Sequence, residues 1–165
     1  MDIVLILVRL IHIFAGIIWV GGAILMAVVI GPAIQKMGDD GSKFMRALTG
    51  DKRFIRLFPA AAITTTLAGL LLFAMGAQNH FTQFGFIVLI IGALAGIAAA
   101  GHGGAVLGRM AQSFMALADK VAQNPTPENR AELQAFGANY SRHLNISVAL
   151  MVIAVLGMAL PRYLS

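Results

Sequence analysis

The sequence predicts an all-α protein of the membrane, built as a polytopic four-helix bundle. Of the 165 residues, 59% are hydrophobic and 12% are charged, whereas roughly half of an ordinary soluble domain is apolar. Apolar windows at about 3–34, 57–77, 84–107 and 144–164 are long enough for the ~20 helical residues that cross a hydrocarbon core. We therefore expect one transmembrane domain over residues 1–165, with the first segment left uncleaved because it lacks a basic N-terminal region.

The basic residues predict how these helices are oriented. The first and third connections, at 35–56 and 108–143, hold most of the cations, whereas the short connection at 78–83 has none. Lysine and arginine collect in cytoplasmic loops, so both termini are expected outside. The net charge of +5 then reflects topology. It does not indicate nucleic-acid binding.

The connections have predicted structure of their own. Loop 35–56 carries apolar residues among its cations and could form a short interfacial helix, or it could act only as a topogenic loop. The six residues between the second and third helices make these two antiparallel neighbours. Apolar residues at helical spacing in 108–143 predict an amphipathic cytoplasmic hairpin, whose second helix is capped by Thr126 with Pro127 at its first position.

The first apolar segment holds the first candidate site. At 100° per residue, Arg9, His12, Gly16 and Trp19 fall on one helical face. An ionisable residue at membrane depth is costly and indicates function. Arg9 could pair with an anion such as a haem propionate. The alternative is that His12 only hydrogen-bonds to a neighbouring helix while Trp19 packs.

A second candidate site is predicted near the cytoplasmic ends of helices three and four. His102 lies among small residues on helix three, and His143 begins helix four, so the two should lie at similar depth. Two facing imidazoles could ligate a haem iron axially, with Arg109 and Arg142 at its edge for the propionates. The small residues alone would be explained by tight helix packing.

Other residue types narrow the chemistry. His80, in the short outer loop, could join His12 or could simply be solvated. The absence of cysteine excludes disulfides and thiolate chemistry. No carboxylate falls within the apolar windows, which disfavours a proton-coupled transporter. The nine methionines are scattered, so packing explains them better than copper binding does. Thr64, Thr65 and Thr66 should hydrogen-bond to their own helix or a neighbour.

Segment 8–22, VRLIHIFAGIIWVGG, resembles the first helix of membrane proteins grouped around the copper-resistance D domain, which include the HemJ-type protoporphyrinogen oxidases. Arg53-Phe54-x-Arg56 and Leu67-Ala68-Gly69-Leu70 are also similar to that group. The resemblance implies a four-helix bundle in the bacterial inner membrane. It also implies that His12 matches a histidine proposed as a haem ligand in HemJ-type members.

Three functions remain open from the sequence. The leading hypothesis is a membrane protein that binds one or two b-type haems through His12, His102 and His143. It would move electrons between the quinone pool, a periplasmic partner or a bound redox enzyme. The first alternative is a copper or small-molecule permease of the copper-resistance D type. The second is an accessory subunit of a homo-oligomer or larger membrane complex. Whether the protein is an enzyme is left open.

Overall fold

The computed structural model describes residues 3–164. Met1, Asp2 and Ser165, and the side chain of Asp39, lie outside that description. Across the described residues the chain is helical, and four helices there are long and apolar enough to cross a membrane. The prediction of an all-α chain with four such helices is therefore confirmed.

The described helices, numbered here along the chain, are α1 (Ile3–Lys36), α2 (Asp39–Gly50), α3 (Lys52–Ala74), α4 (Gln83–Gln123) and α5 (Pro127–Ala159), with a final 3₁₀ turn at Pro161–Tyr163. Compared with the predicted windows, α3 begins earlier, and α4 and α5 continue through most of the predicted loop 108–143. The chain is therefore more helical than its hydropathy alone indicates.

Side-chain caps account for three helix starts. The Asp51 carboxylate accepts the backbone N–H of Arg53 at 2.7 Å, and the Thr82 hydroxyl accepts that of Gly85 at 3.2 Å. The Thr126 hydroxyl accepts the N–H of Asn129 at 3.2 Å, with proline at the first helical position, as predicted. Local polar residues thus set these boundaries independently of the apolar windows.

The long helices pack as two close pairs, α1 with α3 and α4 with α5. In the second pair the backbones touch: a Cβ built on Gly92 would lie 2.8 Å from Cα of Gly157. At one end of the molecule the Thr82 hydroxyl donates to the carbonyl of Leu164 at 2.8 Å. The Phe73 and Phe86 rings, 6.3 Å apart between centroids, bring the ends of α3 and α4 together there. This end carries the first and last described residues, Ile3 and Leu164.

The two pairs meet around Trp19. Its ring, 7% exposed, packs in a buried cluster with Ala61 of α3, Ala99 of α4 and Met151 of α5. In contrast, large apolar side chains such as Phe14, Leu67 and Leu94 face outward. Such exposure would be unfavourable in water and is ordinary toward lipid. The core is therefore made mostly of small residues, while the bulky ones face the surroundings.

At the opposite end, which we call the basic end, α2 packs against the part of α4 beyond Gly108. An ion pair joins Arg46 of α2 to Asp119 of α4, and another joins Lys120 of α4 to Glu132 of α5. The Thr49 hydroxyl donates to Sδ of Met115 at 2.6 Å. These ion pairs are partly exposed, so each contributes only about 0–1 kcal/mol.

Wide π-helical turns interrupt α1 at Ile17–Gly21 and Met26–Ile30, and α4 at Gly103–Leu107. The second precedes Pro32, which has no N–H to donate and whose ring displaces the preceding turn. In this turn the N–H of Gly31 reaches back five residues to the carbonyl of Met26. The other two lie at Trp19 and directly after His102, and such turns are frequent at functional sites.

Candidate functional site

His12 is held to α3 by a reciprocal pair of hydrogen bonds. Its Nδ1 lies 2.7 Å from the carbonyl oxygen of Thr65, and the Thr65 hydroxyl donates to the carbonyl oxygen of His12 at 2.8 Å. Gly69 lies directly against the ring, since a Cβ there would be 2.8 Å from Cε1 of His12. These two hydrogen bonds join α1 to α3 within an otherwise apolar interface.

This geometry determines where the His12 proton resides. A backbone carbonyl can only accept a hydrogen bond, so Nδ1 carries a proton, and in a neutral imidazole the lone pair then lies on Nε2. Among the described residues, Gln78 Oε1 is the one buried side-chain nitrogen or oxygen without a partner. Nε2 of His12 makes no hydrogen bond to those residues, and it is not fully buried. One imidazole nitrogen is thus left without a partner among the described residues.

The other residues predicted on the same face of α1 as His12 are either packed or exposed. Gly16 keeps α1 close to α3, because a Cβ there would lie 3.3 Å from the Thr65 hydroxyl. Trp19 packs in the core, as the alternative interpretation expected. Arg9 is exposed one turn from His12 and forms no ion pair within the described part of the chain. Its guanidinium is available to an anion.

We expect Thr65→Val to loosen the α1–α3 pair. Valine keeps the branched shape but removes the donor to His12, which should lower the free energy of unfolding by about 0.6 kcal/mol, the average for such bonds in membranes. Thermal unfolding of the purified protein in detergent measures the change. Thr64→Val is the matched control, because the Thr64 hydroxyl has no side-chain hydrogen bond in residues 3–164. Equal losses in both variants would contradict the assignment.

His102 and His143 meet as the sequence predicted. Nε2 of His102 lies 3.2 Å from Nδ1 of His143, and the ring centroids are 5.4 Å apart. On its other side, Nδ1 of His102 lies 2.7 Å from Oγ of Ser147, a fully buried residue one turn along α5 from His143. Three polar side chains therefore form a continuous hydrogen-bonded chain between α4 and α5.

The distance between the imidazoles bears on haem ligation. Metal–nitrogen bonds are about 2 Å long, so axial nitrogens on opposite faces of one iron lie roughly 4 Å apart. At 3.2 Å the rings share a hydrogen bond instead, and α4 and α5 pack closely beside them. In this arrangement the pair does not fit as the two axial ligands of one haem. Ligation by both residues stays a prediction that requires the rings to separate.

The histidines occupy two depths. At 1.5 Å per residue, His12 lies about 14 Å along α1 from Ile3, whereas His102 lies about 28 Å along α4 from Gln83. Both distances start from the same end of the molecule, where Ile3 and Gln83 lie. His12 therefore cannot share one metal with His102 and His143. Within the described residues, moreover, no group of three or more histidine, aspartate and glutamate side chains is placed to hold a metal.

The remaining predicted site residues lie on the surface. Arg109 and Arg142 are exposed, and their side chains form no ion pair among residues 3–164. His80 is exposed in the turn between α3 and α4 and contacts none of the other histidines. The structure brings together His102 and His143 but not His12 and His80.

Ser147 and Gly69 are the site residues that sequence reasoning missed. Ser147 follows His143 by four residues and so shares its helical face, a signal that was available. The threonines were predicted to bond within α3 or to a neighbour. The Thr65 hydroxyl bonds to α1, and the Thr66 hydroxyl donates to the carbonyl of Ala62 within α3 at 2.8 Å. Both kinds of predicted hydrogen bond are therefore confirmed. The contact of Gly69 with His12 has no local signature.

No family model, curated protein or solved structure matches this chain. The resemblance of segment 8–22 to the copper-resistance D group therefore stays a prediction.

Proposed function

We propose that this chain is a small membrane haem protein that carries electrons, and that His12 would hold the iron of a b-type haem. One observation supports this most: Nδ1–H of His12 is committed to the Thr65 carbonyl, while Nε2 makes no hydrogen bond to the described residues and is not fully buried. Metal-ligating histidines characteristically donate their other N–H to a carbonyl or carboxylate, which sets the tautomer and the ring orientation. When bound, haem supplies one-electron redox chemistry.

The neighbours of His12 have supporting roles in this proposal. The Thr65 carbonyl orients the ring. Arg9, exposed one turn away, suits a propionate through charge-assisted hydrogen bonds. Arg109 and Arg142 would bind propionates only if a second haem were held between His102 and His143 after their rings had separated.

The proposal includes a location and partners. The four long helices would form a bundle in the bacterial inner membrane, with the basic end in the cytoplasm and both termini outside. The extensions of α4 and α5 would then form the amphipathic cytoplasmic hairpin. Electrons would pass to or from a quinone or a redox protein, and the chain could work as a homo-oligomer or in a larger complex.

The visible spectrum of the protein purified from haem-replete cells tests this function. We expect a Soret band and a sharp α band after dithionite reduction, both lost in His12→Ala and kept in His80→Ala. Size-exclusion chromatography of each variant controls for folding. A colourless wild-type preparation would overturn haem binding. A band that survives His12→Ala but disappears in His102→Ala and His143→Ala would overturn the choice of ligand.

A further inference from the structure

An apolar groove of about 470 Å³ runs along the outer side of the α1–α3 pair. Its lining includes Leu7, Leu10 and Phe14 of α1 and Leu57, Ala60 and Thr64 of α3. The groove residues of α1, from Leu7 to Ile18, span about 16 Å at 1.5 Å per residue. The volume is within the range of small-ligand sites, roughly 300–1,000 Å³. The groove is shallow and open to one side, and its lining is apolar apart from Thr64.

A cationic group lies in line with this groove at the basic end. Arg53 precedes Leu57 by four residues, so at 100° per residue it lies only about 40° around α3 from the groove lining. Arg56 lies about 100° away from Leu57, and Lys52 about 140° away. Arg53 and Arg56 are exposed, and neither guanidinium is paired with a carboxylate in residues 3–164.

Asp51 is the acidic residue that directly precedes this cluster in the sequence. Its carboxylate accepts the backbone N–H of Arg53 and caps α3. The Arg53 guanidinium forms no ion pair with Asp51 or with another carboxylate among residues 3–164, so it can bind an external anion. An arginine fork matches the oxygens of a phosphate, and two such groups at one helix end favour a phosphodiester.

We infer that the α1–α3 groove and Arg53, assisted by Arg56, bind an anionic phospholipid. One acyl chain lies in the groove, and the phosphate lies against the guanidinium groups at the basic end. Charge complementarity selects the lipid class, because a zwitterionic headgroup offers no net charge to this end. The site is independent of haem, since it uses none of His12, His102 and His143.

Lipid titration of the purified, delipidated protein tests the inference. The probes are phosphatidylglycerol and phosphatidylcholine with identical acyl chains, and bound lipid is measured by native mass spectrometry. We expect phosphatidylglycerol to bind more tightly, and Arg53→Gln to weaken it roughly five-fold. Lys52→Gln, the same charge change on the far side of α3, should retain most of the affinity.

A groove-filling variant tests the acyl-chain half of the site. Ala60→Phe places a ring where the chain would lie and should reduce binding of both lipids, while an unchanged melting temperature shows that the fold is intact. Equal affinity for the two lipids, or equal losses in Arg53→Gln and Lys52→Gln, would overturn the headgroup site. Unchanged binding in Ala60→Phe would overturn the assignment of the groove.

Discussion

Gly157→Ala is expected to lower the free energy of unfolding by about 1–3 kcal/mol, the range for overpacking a close-packed interface. A Cβ on Gly157 would lie 2.5 Å from Cα of Gly92 and 2.8 Å from its backbone nitrogen. These are backbone atoms, which cannot move aside as a flexible side chain can. The added methyl group must therefore push α4 and α5 apart. Gly92→Ala should act in the same direction, because its Cβ would meet Gly157 at 2.8 Å.

Thermal unfolding in detergent measures this effect, and Gly96→Ala is the matched control. A Cβ on Gly96 would lie 3.5 Å from Cβ of Ala154, which is ordinary van der Waals contact. That variant should stay within about 0.5 kcal/mol of the wild type. If all three glycine variants unfold alike, α4 and α5 do not cross at Gly92 and Gly157.

His102→Leu is the second large expected effect. It removes the hydrogen bonds to Ser147 and His143 and leaves the fully buried Ser147 hydroxyl without its histidine partner. Interhelical hydrogen bonds in membranes average about 0.6 kcal/mol and reach about 1.7 kcal/mol. Losing two of them should therefore destabilise the protein by about 1–3 kcal/mol.

A double-mutant cycle with Ser147→Ala separates this network from simple packing. If His102 and Ser147 act together, the double variant should lose less stability than the sum of the single variants. His80→Leu, at an exposed turn position, is the control and should change stability by no more than about 0.5 kcal/mol. Strict additivity of the two single variants would argue against the hydrogen-bonded chain.

Much of the fold was predictable because bilayer helices are coded locally. Apolar windows of sufficient length indicated α1, α3, α4 and α5, and Thr126 with Pro127 indicated the start of α5. The meeting of His102 with His143 was also predictable, since antiparallel helices bring these two residues to one depth. The early start of α3 at Lys52 was not, because hydropathy does not register a polar first turn.

The first-helix motif shows the boundary between sequence and tertiary structure. The sequence alone determined that His12 lies in a helix long and apolar enough to cross a membrane. It also determined that His12 shares a face with Gly16 and Trp19, because helical phase depends only on residue spacing. Only the tertiary structure decided that the proton resides on Nδ1, because this depends on the Thr65 carbonyl, 53 residues away along the chain. Likewise, spacing placed His102 opposite His143, but only the close packing of α4 on α5 brought the rings to 3.2 Å. Hydrogen-bond partners and distances between helices depend on interhelical packing, which residue spacing within one helix does not encode.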